Sequence, residues 1–301
     1  MAERLPGLVV SGYGGFYQVR LENAAVIDCK PRGRLKQSFA KIYPGDAVTV
    51  SLLDDGSGMI ESIGERRSFL TRPNIVNLDR VVIVLAWSLP DYDLLLLDRL
   101  LVLAEMAGVQ ALICWNKMDL CPASSRPIFR RLQEIYQRNG YPVFGVCAQQ
   151  PDTVEPLRRA LGQGISVLAG PSGVGKSSLI NVLLGAAHAE VAAVSDRLRR
   201  GRHTTRYARI LPLGERTADG FLADTPGFFT LSLPDDFITA NLPLCYPEFR
   251  RCTGCRFDGC MHDKEPDCAV KAAVRAGEID EERYRRYLRL LQELKDREVK
   301  Y

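Results

Sequence analysis

Eight consecutive residues, Gly170, Pro171, Ser172, Gly173, Val174, Gly175, Lys176 and Ser177, fit the spacing G-x-x-x-x-G-K-S/T at every fixed position. Glycines at these places let backbone N–H groups turn inward, and a lysine followed by a hydroxyl adds a cation and a metal ligand. These are the parts of a cradle for a chain of phosphates. The stretch "ISVLA" before it and "SSLINVLLG" after it read as strand and then helix, so a helix N-terminus adds its positive dipole. In such a cradle the backbone lines the phosphates as far as Ser178, Lys176 reaches the β- and γ-phosphates, and Ser177 ligates Mg²⁺. The motif leaves the base undetermined, so an ATPase or a kinase fits it as well as a GTP-binding protein.

The residues that could read a base stand earlier in the chain. "NKMD" carries Asn116, Lys117 and Asp119 in the spacing N-K-x-D, after the apolar run "VQALICW". The Asp119 carboxylate can accept from the N1–H and 2-amino groups of guanine, a pair that adenine does not offer, and unpaired acceptors penalise the wrong base. Asn116 would touch the guanine edge and help hold the phosphate loop, while the Lys117 stem packs on the ring. "VCAQQ" follows the next strand, and its Cys147 and Ala148 would lend loop backbone to the base. Each box lies at the C-terminal end of a strand, where open α/β sheets bind ligands.

Two further segments supply switch chemistry. In "DTPG", Asp224 would hold a magnesium-bound water and the Gly227 N–H would sense the γ-phosphate. In "GRHTTR", one threonine hydroxyl would complete the Mg²⁺ shell: Thr205, with Thr204 as the alternative. Ras-like proteins orient the attacking water with a Gln. Here Phe228 and Phe229 follow Gly227, so His203 is the nearest polar candidate, and a surface histidine beside Arg202 is the other reading. The order is base box, base loop, phosphate loop, first switch, second switch. An ordinary G domain starts with the phosphate loop, so this order describes a circular permutation, which cutting and rejoining surface loops permits. It places the second switch directly before the cysteine-rich segment.

That segment, "CTGCRFDGCMHDKEPDC", offers Cys252, Cys255, Cys260, His262 and Cys268. Structural Zn²⁺ takes four tetrahedral S/N ligands. Cys255, Cys260, His262 and Cys268 make one Cys₃His set, and a start at Cys252 with Cys255 is the other. Cys114 and Cys121, which flank the base box, are not expected to join it.

Three kinds of element must position these groups. Residues 1–70 read as short strands broken by "PGD" and "DDGSG", and a small Greek-key barrel of OB type closes so few strands. In "YQVRL" the alternation sets Tyr17, Val19 and Leu21 on one face and Gln18 and Arg20 on the other. Residues 71–234 alternate apolar strands such as "RVVIVLAW" with helices, which indicates a parallel α/β sheet. "DLLLLDRLLVLAEMAG" ends at Gly108, and "RPIFRRLQEIYQRNG" aims Ile128, Leu132 and Ile135 toward one face. Residues 235–301 hold the cysteines and two helices, the second with Tyr284, Tyr287, Leu288, Leu291 and Leu294 in a stripe, Asp280 as cap, and Ile279 against Tyr284 as staple. The expected fold class is multidomain: an all-β OB-type barrel, a circularly permuted α/β P-loop GTPase domain, and a small α-rich zinc-binding domain.

The bulk numbers agree with this. The chain has 301 residues, 46% hydrophobic and 25% charged, with a net charge of +4 and nine cysteines. This is globular composition with a mild basic excess, and crowded cysteines without a secretory signal point to metal rather than disulfides. No apolar run reaches the roughly 18 residues needed to span a bilayer, and no signal peptide is expected. Local charge favours RNA: "KPRGRLK" (30–36) is expected in a loop of the OB-type barrel, and "DRLRRGRHTTR" (196–206) holds five arginines.

Taken together, "NKMDL", "GPSGVGKSSLIN", "GRHTTR", "DTPGF" and "CRFDGCMHDKEPDCAV" resemble the bacterial small-ribosomal-subunit-dependent, circularly permuted GTPases, over essentially the whole chain. The family zinc pattern falls on Cys255, Cys260, His262 and Cys268, leaving Cys252 as an extra. Cys147 stands where Ser is usual, and Trp115 precedes Asn116 where a smaller residue is commoner. The resemblance implies GTP and GDP as ligands with Mg²⁺, one structural Zn²⁺, and GTP hydrolysis stimulated by the small subunit during its late maturation. It also implies contact with the rRNA, a cytoplasmic protein that is monomeric off the ribosome, and no membrane partner. Two readings compete with it: a non-catalytic, GTP-dependent RNA-binding assembly adaptor, and an ATP-dependent enzyme in which "NKMD" is accidental.

Overall fold

A computed structural model describes residues 4–33, 35, 41–71, 74–185, 208–214, 220–224 and 233–298 of the chain. The strands are β1 (Arg4–Tyr13), β2 (Phe16–Leu21), β3 (Val26–Pro31), β4 (Ala47–Leu52), β5 (Gly58–Ile63), β6 (Phe69–Thr71), β7 (Asn74–Val76), β8 (Leu78–Ala86), β9 (Gln110–Asn116), β10 (Val143–Gly145), β11 (Ile165–Ala169), β12 (Arg209–Pro212) and β13 (Phe221–Asp224). The helices are α1 (Leu94–Met106), α2 (Arg126–Arg138), α3 (Glu155–Ala160), α4 (Lys176–Leu184), α5 (Pro247–Arg250), α6 (Ala269–Arg275) and α7 (Glu281–Glu298). They fall into two compact units: Met1–Val82 with Val146–Ala169 and Gly175–Phe229, and Ile83–Gly145 with Gly170–Val174 and Thr230–Tyr301.

In the first unit β1, β2, β3, β5 and β4 close, in that order, into a barrel. Val9, Val19, Leu21, Val48, Val50 and Ile60 fill it, with Tyr17 packed against them. The alternation in "YQVRL" therefore points as the pattern predicts. Its other face is not wholly solvated, however. Gln18 accepts from the Ser11 hydroxyl at 2.9 Å, while Arg20 is buried with its guanidinium 5.9 Å from the centre of the Phe221 ring on β13. An outward position on a barrel strand becomes interior once another strand covers it.

A six-stranded sheet has the order β10-β9-β8-β11-β13-β12, and β8 runs through both units. β9 with β10 and β11 with β13 are parallel, while β12 with β13 is antiparallel. Val81–Ala86 of β8 and all of β11 are buried, as expected of strands covered on both faces.

In the second unit α1 is capped by Asp93, whose carboxylate accepts from the N–H groups of Leu95 at 2.8 Å and Leu96 at 3.1 Å. It ends before Gly108, whose φ of +62° is the left-handed conformation expected after a helix C-terminus. α7 begins at the expected cap, where Asp280 accepts from the Arg283 N–H at 2.9 Å. Its buried stripe is Tyr287, Leu290, Leu291 and Leu294, with Tyr284 and Leu288 at its edge; Leu290 joins it beyond the sequence expectation. α2 differs from the sequence expectation. Leu132 and Tyr136 are buried, whereas Ile128 is 49% exposed. Two stripes share Leu132, and the one carrying Phe129 and Tyr136 buries more area per residue, so it faces inward.

A charged cluster lies deep inside this unit among the described residues. Arg283 is 1% exposed and pairs with Asp98 of α1 and Glu248 of α5, while Arg286 pairs with Asp98 at 2.5 Å. The Arg283 guanidinium also lies over the rings of Tyr246 at 4.9 Å and Tyr136 at 5.1 Å. Burial opposes its charge, but Asp98 and Glu248 outweigh burial and hold it well above the usual range. Among the described residues no helix is long and apolar enough to cross a membrane.

Candidate nucleotide site and metal centre

The buried strand β11 delivers the chain to Gly170, where φ is +139°. A Cβ there would lie 2.2 Å from the Val84 carbonyl oxygen, so only glycine fits against that backbone. Gly173 and Gly175 follow at φ of +82° and +91°. These left-handed turns reverse the peptide direction repeatedly between Gly170 and α4, as a phosphate-binding loop requires. α4 starts at Lys176 with Gly175 as its N-cap and no side chain capping it, so its first turn is presented to an anion. Burial pulls the Lys176 ammonium below the usual lysine range. Ser177 and Ser178 are exposed on the first turn.

The base box is fastened to this loop. Asn116, 1% exposed at the end of β9, donates from Nδ2 to the Val174 carbonyl at 2.9 Å, across 58 residues of sequence. Lys117 follows in the left-handed conformation, with φ of +59°. Its ammonium donates to the Gly173 carbonyl at 2.8 Å and to that of Leu89. A single 3₁₀ turn, Met118–Leu120, then leaves Asp119 exposed. The box thus presents one solvent-facing carboxylate on a rigid support, which is what recognition of a ligand with two adjacent donors requires.

The sequence marks Trp115 as unusually large for its place but does not show what packs around it. Trp115, directly before Asn116, is wholly buried among Tyr92, Trp87 and Phe129, at centroid distances of 5.0, 5.7 and 6.3 Å. The Trp87 N–H also donates to the Asn116 carbonyl at 3.0 Å. The aromatic residues at 87, 92, 115 and 129 were visible in the sequence as apolar positions, but nothing in their spacing joins them.

In the first unit Cys147 is buried, and its N–H donates to Thr153 Oγ1 at 2.9 Å. The same hydroxyl donates to the Gln150 carbonyl at 2.7 Å. Thr153, not singled out by the sequence, therefore shapes the loop that carries Cys147 and Ala148. Asp224 is half-buried at the end of β13, opposite Arg209 of β12. His203, Thr204, Thr205 and Gly227 lie outside the described residues, as do the arginines of 196–206 and part of the basic stretch 30–36, whose Lys30 and Pro31 belong to β3 and pair with β5 instead of lying in a loop.

The second unit brings Cys255, Cys260, His262 and Cys268 together, with their ligand atoms all within 4.8 Å of one another. His262 Nδ1 lies 3.8 Å from Cys255 Sγ and 3.3 Å from Cys268 Sγ. Zn–S bonds of about 2.3 Å and Zn–N bonds of about 2.0 Å span tetrahedral edges of about 3.5–3.8 Å, so this donor set fits the ion. Left-handed backbone at Gly259, His262 and Asp267 folds the ligands inward. The Glu265 carboxylate accepts from the Met261 and Asp263 N–H groups at 2.9 and 2.8 Å. Tyr284 of α7 donates its hydroxyl to the His262 carbonyl at 2.6 Å. Burial pushes the Cys260 thiol up to about 11, so a cation is needed to draw out its thiolate. Cys252 stays outside the set, its thiol donating to the Glu248 carbonyl at 3.5 Å. Cys114 is buried in β9 and Cys121 just beyond it, and neither belongs to the group, in accord with the sequence.

Comparison with known proteins agrees with this architecture. Residues 63–234 match the model of the RsgA GTPase family and residues 6–60 that of the RsgA N-terminal domain. A protein of Shouchella clausii (strain KSM-K16) named small ribosomal subunit biogenesis GTPase RsgA is 41% identical over 98% of this chain and 99% of its own length. One of the same name from Clostridium perfringens (strain SM101 / Type A) is 39% identical, covering 97% and 99%. Among solved structures, YjeQ from Thermotoga maritima superposes with a TM-score of 0.83 at 35% identity, over 97% of this chain and 99% of that one. YloQ, described as a circularly permuted GTPase, does so with a TM-score of 0.83 at 32% identity, over 98% and 96%. An N-terminal barrel, a phosphate loop that follows its base box, and matches spanning nearly the whole chain lead to one conclusion: this chain belongs to the RsgA GTPase family.

Proposed function

We propose that this GTPase binds the small ribosomal subunit and hydrolyses GTP in a subunit-stimulated manner during late small-subunit maturation. The observation that carries the reading is the brace between base box and phosphate loop. Asn116 and Lys117 hold the Val174 and Gly173 carbonyls directly, which supports a base box that works together with the start of the phosphate loop. The relatives' name, small ribosomal subunit biogenesis GTPase, supports the choice of partner.

In this reading residues 1–70 are an RNA-binding barrel, residues 71–234 the permuted GTPase domain and residues 235–301 the zinc-binding domain. Asp119 reads guanine N1–H and the 2-amino group, Asn116 and the Lys117 stem frame the ring, and backbone at Cys147 and Ala148 borders it. The backbone from Gly170 to Ser178 wraps the phosphates and Lys176 neutralises them. Ser177 and Thr205 hold Mg²⁺, which supplies charge compensation at the β- and γ-phosphates, and Asp224 holds one of its waters. Thr204 lies beside the nucleotide, the Gly227 N–H senses the γ-phosphate, and His203 orients the attacking water. Cys255, Cys260, His262 and Cys268 hold a structural Zn²⁺. The protein acts in the cytoplasm, monomeric off the ribosome, on subunit rRNA.

The test is GTP turnover by the purified chain with and without small subunits. Stimulation of at least about tenfold is expected; equal rates would leave the adaptor reading in its place. Asp119→Asn should lose GTP and gain xanthosine triphosphate, and unchanged GTP affinity would show that "NKMD" reads no base.

A further inference from the structure

We infer that the outer face of α2, extended by Arg251, docks on phosphates of the small-subunit rRNA; this rests on the subunit-binding reading above. α2 carries Arg126, Arg130, Arg131 and Arg138 against the one carboxylate Glu134, a net +3 (4 − 1) within a chain whose total is +4. All four arginines are exposed, because the opposite side of the helix, Leu132 and Tyr136, is buried in the protein. Arg251 joins them at the helix C-terminus, donating from Nη2 to the Arg138 carbonyl at 2.8 Å.

The start of the helix is charged against its own stability, while Arg138 stands at the end that favours a cation. Its first residue is Arg126 and its first turn has no acid, where the dipole favours anions and disfavours cations. Glu134 stands four residues from both Arg130 and Arg138. Even so, among the described residues the helix's ion pair is that of Arg131 with Asp280 at 3.1 Å. Departures from a local rule without a local gain mark positions kept for something outside the molecule.

The geometry selects the partner. From Arg126 to Arg138 the face runs about 18 Å at 1.5 Å per residue, too long for one small anion and suited to a strand with a phosphate every few ångströms. Every cation on it is arginine, whose planar fork matches phosphate oxygens. A membrane surface is excluded, because an interfacial helix must give its apolar side to lipid and that side is buried here.

The experiment compares the full-length chain with Arg126→Gln/Arg130→Gln/Arg138→Gln and with the corresponding charge reversal to Glu. GTP binding and basal turnover, which use none of these residues, report that each variant is folded. Affinity for purified small subunits should fall about 10-fold for the Gln variant and further for the Glu variant. The dependence of log Kd on log salt should flatten by about 2, at roughly 0.7–0.9 for each phosphate that is no longer neutralised. Unchanged affinity and slope would overturn the proposal. A photo-crosslinking amino acid at the exposed Ile128 identifies the neighbour: an adduct on rRNA is expected, and one on a ribosomal protein overturns the RNA assignment. If the unaltered chain does not bind subunits at all, the functional reading fails first, and the two failures are told apart.

Discussion

Single residues in this chain are committed by backbone contacts that leave no room for substitution. Gly170 meets the Val84 carbonyl so closely that a Cβ would come within 2.2 Å of its oxygen, at a φ of +139°. Gly170→Ala must therefore move the end of β11 or open the loop, at a cost of about 1–3 kcal/mol. GDP affinity should fall more than tenfold in equilibrium titration, and wild-type affinity would mean that the loop is not held where it lies. Arg283 is committed electrostatically. Removing its guanidinium strands Glu248 and leaves Asp98 to Arg286, both in a buried setting, and Arg283→Ala should lower the unfolding free energy by about 3–5 kcal/mol in urea titrations. Replacing Asp98, Glu248, Arg283 and Arg286 together with apolar residues should recover much of that loss, because it is the unpaired charge that is costly. A single-variant cost below about 1 kcal/mol would show that the cluster is relaxed by water.

At the scale of elements, the ends of β8 and β9 carry the chain's two tryptophans, Trp87 and Trp115, packed beside the Asn116 peptide. A base on Asp119 should perturb both, so saturating GDP should change intrinsic tryptophan emission, and Asp119→Asn should abolish the change at the same GDP concentration. Unmoved wild-type emission would mean that these strand ends do not sense the base. Much of this element-level arrangement was legible beforehand. Apolar runs announced β8, β9 and β11, Gly108 closed α1, and Asp280 opened α7, because each signal is local. The brace from Lys117 to Leu89 and Gly173 was not legible, since backbone carbonyls carry no sequence signature. Neither was the inward turn of Arg20 or the pairing of Arg283 with Asp98, 185 residues apart, because a charged residue reads as solvent-facing until another element covers it. On α2 two apolar stripes overlap at Leu132, and only tertiary packing chooses the one with Tyr136 over the one with Ile128.

At the scale of the molecule, the second unit is closed by links that converge on the C-terminal helix. Arg283 and Arg286 join α7 to α1, Arg99 pairs with Glu293 at 2.5 Å, and Asp280 pairs with Arg131 of α2. The same helix presses Tyr284 onto the His262 carbonyl, inside the Cys₃His loop. The Cys₃His loop and the helix that clamps α1 therefore share one core, so the loss of an ion held there would be felt well beyond its ligands. Chelation at neutral pH should release one equivalent of zinc per chain and cost at least about 3 kcal/mol, or roughly 6–12 °C in thermal midpoint. Cys255→Ser should reproduce this loss. Cys252→Ser should not, because the Cys252 thiol bonds the Glu248 carbonyl instead of facing the other ligands, and a serine hydroxyl can keep a similar contact. It should retain one equivalent of zinc and lose less than about 1 kcal/mol, within the net value of a single hydrogen bond. If Cys252→Ser loses the metal as Cys255→Ser does, the ligand set starts at Cys252 with Cys255.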